Sequence, residues 1–121
     1  MPDCLFCSIV TGDISADRVL ESERTIAFRD ISPQAPVHVL VIPRTHLASL
    51  AELAAAGGGL LDELAAQADQ VARQEGIADS GYRVVFNTGP DAQQTVFHVH
   101  AHVLGGRPMT WPPGLSAWPA G

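Results

Sequence analysis

With 121 residues, 46% of them hydrophobic and 17% charged, the chain has the composition of one globular domain, large enough for a real core and too short for two. The formal net charge is -6, and all seven basic residues are arginines scattered along the chain, which argues against a nucleic-acid polymer as partner because such binding needs a clustered basic surface. A small phosphate ester remains compatible, since a few backbone amides and imidazoles can hold it without a basic patch.

The longest apolar run, Val37 to Pro43, is far short of the roughly 20 residues that span a bilayer. Met1-Pro2-Asp3-Cys4 has neither the basic start nor the apolar core of a secretory signal, so no membrane partner and a cytoplasmic location are expected. A single domain over residues 1–121 is predicted, with a tail from about residue 107.

Cys4 to Thr11 predicts a short helix before Gly12-Asp13. Val19-Leu20 and Thr25 to Phe28 are β-type runs around the charged turn Glu21 to Arg24, which reads as a hairpin. Asp30-Ile-Ser-Pro-Gln-Ala-Pro36 is a loop by its two prolines, and the β-branched Val37 to Ile42 reads as a central strand ending at Pro43. Between Ser49 and Gln74 the chain is rich in Ala, Leu, Glu and Gln and is divided by Gly57-Gly-Gly59. Its second part carries Leu60, Leu61, Leu64, Ala68 and Val71 at helical spacing, predicting the main helix over about Leu60 to Gln74, with Gly76 ending it. Tyr82 to Phe86 and Val96 to Leu104 predict two further strands, joined by the turn-rich Asn87 to Gln94. Strands this closely spaced, with one long helix and a short N-terminal helix, indicate an α+β fold on an antiparallel sheet of about five strands.

Residues two apart in a strand point to the same face, about 6.6 Å apart, so His98, His100 and His102 form one row while Val99, Ala101 and Val103 face the core. Imidazoles are costly to bury without partners and strand propensity does not ask for them, so the row points to chemistry. Near neutral pH it can supply both a nucleophile and a proton donor. The two other histidines, His38 and His46, flank the strand that ends at Pro43. His38 read alone fits a satisfied structural histidine as well as a catalytic one.

Cys4-Leu-Phe-Cys7 is the only cysteine pair. In a cytosolic chain this spacing means half a metal site, two buried thiols or a redox pair. A zinc site needs two more ligands, for which His46 and His98 are the natural candidates.

His98-Val-His-Ala-His-Val103 resembles the signature of the histidine triad superfamily. Asp30 to Pro36 and Gly105-Gly-Arg-Pro-Met-Thr-Trp-Pro-Pro-Gly114 are similar to its Hint branch, the nucleoside phosphoramidases, and the resemblance covers nearly the whole chain in order. It implies a homodimeric enzyme that cleaves the P–N bond of purine nucleoside phosphoramidates or acyl nucleotides, conjugates of AMP or GMP, releasing a nucleoside monophosphate. His100 would attack the α-phosphorus through Nε2, with the His98 carbonyl holding its Nδ1 proton. His102, backed by His38, would contact phosphate oxygens, and Thr95 the departing group. Asp30 would accept from the ribose hydroxyls, Phe6, Ile9, Ile14 and Ile31 would line the base pocket, and Asn87 and Gln94 would contact phosphate and leaving group. Asp30 and Asn87 are also good turn residues, and any of the apolar four read alone is plain core. In the zinc-bearing members, Cys4, Cys7, His46 and His98 would be the structural metal ligands.

The chain departs from the pattern at Gln93, where the family usually has Gly, and in the extra residues 115–121. The family's C-terminus reaches the neighbouring subunit's site, where it would influence leaving-group preference. The rival readings are a dinucleoside polyphosphate hydrolase or nucleotidyl transferase of the same superfamily, and a nucleotide-binding scaffold dimer without turnover.

Overall fold

A computed structural model describes residues 4–114. Cys4 caps the first helix α1 (Leu5–Thr11), its Sγ accepting from the Cys7 N–H, and Gly12 closes the helix at φ 87°. The hairpin β1 (Arg18–Glu21) and β2 (Thr25–Arg29) follows, then β3 (Val37–Pro43). Helices α2 (Leu50–Ala56) and α3 (Leu60–Gln74) are separated by the three glycines, and β4 (Tyr82–Phe86) and β5 (Ala101–Gly105) complete the chain order. All pairings are antiparallel and the sheet order is β1-β2-β3-β5-β4, so β3 is central as its nearly continuous apolar run predicts.

The two faces of the sheet have different covers. On one face Val39, Val41, Val99, Ala101 and Val103 pack beneath α2 and α3, where Leu60, Leu64, Ala68, Val71 and Ala72 form the buried stripe of α3. On the other face Ile26, Phe28, Leu40 and Ile42 pack against Phe6 and Ile9 of α1. A seven-residue helix covers only part of that face. His38, two residues before Leu40 on β3, and His102, paired with Leu40 across β3 and β5, stand where that cover runs out.

Two expectations are corrected. The helical content is larger than one long and one short N-terminal helix, because the first part of the Ser49–Gln74 region folds as α2, capped by the Ser49 hydroxyl on the Glu52 N–H. The last strand does not begin at Val96 but at Ala101. Residues 96–100 form no ladder: β4 ends opposite Ala101, and the pairing with β3 stops at Val41↔Ala101, although β3 itself runs on to Pro43. Their contacts go instead to the segment after β3, with Val99 N–H donating to Leu47 O at 2.7 Å. Val99 still reaches the core, with His98 and His100 buried on either side of it. Residues 115–121, expected to reach a neighbouring subunit's site, lie outside the described residues.

Candidate active site and metal centre

His38, His100 and His102 each have a tautomer set by their hydrogen bonds. His100 Nδ1 lies 2.8 Å from the carbonyl of His98, so it carries the proton and Nε2 keeps its lone pair. The opposite holds at His102. The backbone N–H of Gln34 donates to His38 Nδ1 at 3.0 Å, which places the His38 proton on Nε2. That nitrogen faces His102 Nδ1 at 2.8 Å and donates to it, leaving the His102 proton on Nε2. The result is a lone pair on one imidazole beside an N–H on the next, with ring centroids 4.9 Å apart.

All three rings are held neutral. Burial, reinforced by neighbouring His100 and His38, pushes His102 down to about 4. Burial lowers His38 as well, partly offset by Asp30, and lowers His100 against the raising influence of its bond to the His98 carbonyl. Asp30 completes the group: Oδ2 is 3.5 Å from His38 Nε2, and Oδ1 accepts from the Ser32 N–H at 2.8 Å, so one oxygen is tied to the turn and the other faces the histidines.

The remaining expected site residues divide. Phe6 packs edge-on against His100, centroids 5.1 Å apart, and with Ile9 belongs to the core beneath the site. Ile31 is fully exposed and Ile14 is 41% exposed, so neither is packed into a closed pocket. The Asn87 amide nitrogen is 3.5 Å from His102 Nε2, too long for a strong bond, which leaves that N–H available. Gln94 is buried and its amide is used internally, donating to Ala48 O at 2.8 Å and accepting from the Gly89 N–H at 3.1 Å, so it staples the loop rather than facing outward. Thr95 is exposed. Gln93 adopts φ 61°, the left-handed region, at a cost of roughly 1–2 kcal/mol for a residue with a Cβ. A sequence reading had no access to the Gln34 N–H or the Pro43, Leu47 and Ala48 carbonyls, because backbone groups leave no side-chain signal.

A second cluster lies beside the first. Cys4 Sγ, Cys7 Sγ, His46 Nδ1 and His98 Nδ1 all fall within 4.8 Å of one another. The sulfur–nitrogen separations are 3.5 Å from Cys4 to His98, 3.6 Å from Cys7 to His98 and 3.3 Å from Cys7 to His46. A tetrahedral ion with ligands at ~2.3 Å to sulfur and ~2.0 Å to nitrogen spaces them by about 3.5 Å, so the donor set fits zinc. His98 Nε2 donates to the Pro43 carbonyl at 2.7 Å, which turns the Nδ1 lone pair toward the cysteines. Burial and the adjacent Cys4 push the Cys7 thiol up.

A HIT domain family model matches residues 11–109. The chain belongs to the HIT domain family. Among the HIT relatives, a 14 kDa zinc-binding protein of Zea mays is 47% identical over 112 residues, 91% of this chain and 87% of that one. Adenylylsulfatase HINT1 of Arabidopsis thaliana is 43% identical over 112 residues, 91% of this chain and 76% of that one. The crystal structure of a HIT family hydrolase from Legionella pneumophila superposes with a TM-score of 0.88 at 46% identity, covering 93% of this chain and 100% of that one. These likenesses support nucleotide hydrolysis at the level of the family.

Proposed function

We propose that the protein hydrolyses purine nucleoside phosphoramidates, and related acyl nucleotides, through a nucleotidyl intermediate on His100. The observation that carries this reading is the pair of opposite tautomers, a lone pair on His100 Nε2 next to an N–H on His102 Nε2. The lone pair attacks the α-phosphorus while the N–H donates to a non-bridging oxygen as charge gathers there. The P–N electron pair goes to the departing nitrogen, which takes a proton from solvent on the open side where Thr95 can hydrogen-bond it. The His98 carbonyl holds the Nδ1 proton as His100 becomes cationic. Water then adds to phosphorus and loses a proton to solvent, and the pair of the His100–phosphorus bond returns to Nε2, freeing the nucleoside monophosphate. Asp30, half-buried at the rim, accepts from the ribose hydroxyls.

The four-residue cluster holds structural zinc in this reading. Bound there, the ion supplies fixed geometry rather than chemistry, because its ligand His98 also provides the carbonyl that orients His100. The functional unit is a homodimer acting in the cytoplasm. Incubating the protein with adenosine 5′-phosphoramidate should release AMP, and His100→Ala should lose at least about 10³-fold in kcat/KM while still binding AMP. Near-normal turnover in that variant would remove His100 from its role. Release of AMP from diadenosine polyphosphate in preference to the phosphoramidate would favour the polyphosphate-hydrolase reading, and AMP binding without turnover the scaffold reading.

A further inference from the structure

The spacing Cys4-Leu-Phe-Cys7 admits a metal reading and a redox reading, and the fold makes them parts of one arrangement. Both cysteines are free and half-buried, and their Sγ atoms belong to the group whose donor atoms all lie within 4.8 Å of one another. The Cys4 sulfur accepts from the Cys7 N–H at 3.3 Å, so it is folded over the first turn of α1 beside the other cysteine. A disulfide needs the two sulfurs at about 2.0 Å, a closure that rotation of two short side chains brings within reach. The Cys7 sulfur meets His46 Nδ1 at 3.3 Å in an exposed contact, so a small oxidant reaches the pair from solvent.

Two routes connect the pair to the nucleophile. His98, fully buried, faces both sulfurs with Nδ1, 3.5 Å from Cys4 and 3.6 Å from Cys7, and the carbonyl of the same residue holds His100 Nδ1 at 2.8 Å. Phe6 stands between the two cysteines in sequence, and its buried ring packs edge-on against His98 and His100, with centroids 6.0 Å and 5.1 Å apart. Protein interiors are close-packed, so drawing the two cysteines together moves the ring between them against the imidazoles it touches.

Resting on the zinc and hydrolase readings, we propose that Cys4 and Cys7 are a reversible modification site: a hydroperoxide oxidises them to a disulfide, which releases the cluster's cation and displaces Phe6 and His98 from the positions that orient His100. One sulfur attacks a peroxide oxygen, the O–O bond breaks, and the displaced oxygen leaves with a proton from solvent, giving a sulfenic acid. The second sulfur attacks the first, and the sulfenic oxygen leaves as water with another proton. The two sulfurs lose two electrons and the peroxide gains them. The disulfide takes two donors from a cluster of four, and the two imidazoles that remain are half of a tetrahedral site. A dithiol reverses the step by thiol–disulfide exchange and is itself oxidised.

The test treats the zinc-loaded protein with hydrogen peroxide in the presence of a chromogenic zinc chelator. Zinc should be released in step with the loss of both thiols, and the protein should lose the mass of two hydrogens. Turnover of adenosine 5′-phosphoramidate should fall about tenfold in kcat, the size expected when the support of an active group is lost. Dithiothreitol with added zinc should restore thiols, metal and turnover together. Cys4→Asp, which keeps a metal donor but leaves a single sulfur, should form no disulfide and keep most of its own starting turnover under the same treatment. The buried His100 Nδ1–H gives a downfield proton NMR signal that should broaden or vanish on oxidation and return on reduction. Zinc retained after oxidation, sulfurs oxidised singly without a disulfide, or a disulfide that leaves turnover and the His100 signal unchanged would overturn the proposal. Failure of the protein to hydrolyse the phosphoramidate or to hold zinc at the outset defeats those readings alone, because thiol titration, mass and the His100 signal still decide the switch.

Discussion

His102 is the residue where burial and function meet. The surroundings that expose only its Nε2–H also hold its pKa at about 4, against 6.5 in an unfolded chain. Below pH 6.5 the unfolded chain therefore binds a proton at this position that the folded protein refuses. The stabilisation is complete above about 6.5 and is lost as pH falls toward 4, at up to one proton's worth of slope. His38, lowered for the same reason, adds to the trend. Urea melts at pH 7, 5.5 and 4.5 should show stability falling, and His102→Gln should flatten the dependence. Stability that rises or stays level over that interval would show that His102 is not held neutral. The histidine row was legible in the sequence because alternation alone sets which side chains share a face. The tautomers were not, since they depend on the Gln34 N–H and the His98 carbonyl, which any residue at those positions would supply.

At the scale of elements, helices α1 and α3, the β1–β2 hairpin and the central strand followed from periodicity and turn residues. The segment 96–100 did not, because its β-branched and aromatic residues read as a strand whether or not a neighbouring strand pairs with them. Its pins are Val99 on Leu47, His98 on Pro43 and the Gln94 amide on Ala48, together with the four-ligand cluster. Gln94 was expected at the ligand because its internal use depends on a carbonyl 46 residues away. If the cluster holds zinc, the purified protein contains one zinc per chain, and Cys7→Ser loses most of it. The melting temperature should then fall by at least about 5 °C, roughly a kcal/mol or more for a domain of this size. Amide exchange should accelerate in residues 96–100 and 44–48 while α3 stays protected. Full stability without the metal would limit the cluster to an incidental meeting of side chains.

For the molecule as a whole, the sheet works as a partition. One face is closed by α2 and α3 and holds most of the core. The other is closed by α1 only as far as Phe6 and Ile9, leaving the histidines at the edge of that cover with Asp30 to one side. In the proposed reading the nucleoside sits at Asp30 and its phosphorus at His100 and His102, along one line across the strands. None of the described helices is long and apolar enough to cross a membrane. The proposed two-step displacement through His100 is read directly by the configuration at phosphorus. Each in-line displacement inverts phosphorus, so two give net retention. Hydrolysis of a P-chiral adenosine phosphorothioamidate in ¹⁸O-labelled water should yield product of retained configuration, whereas inversion would mean that water attacks directly and that His100 is not the nucleophile.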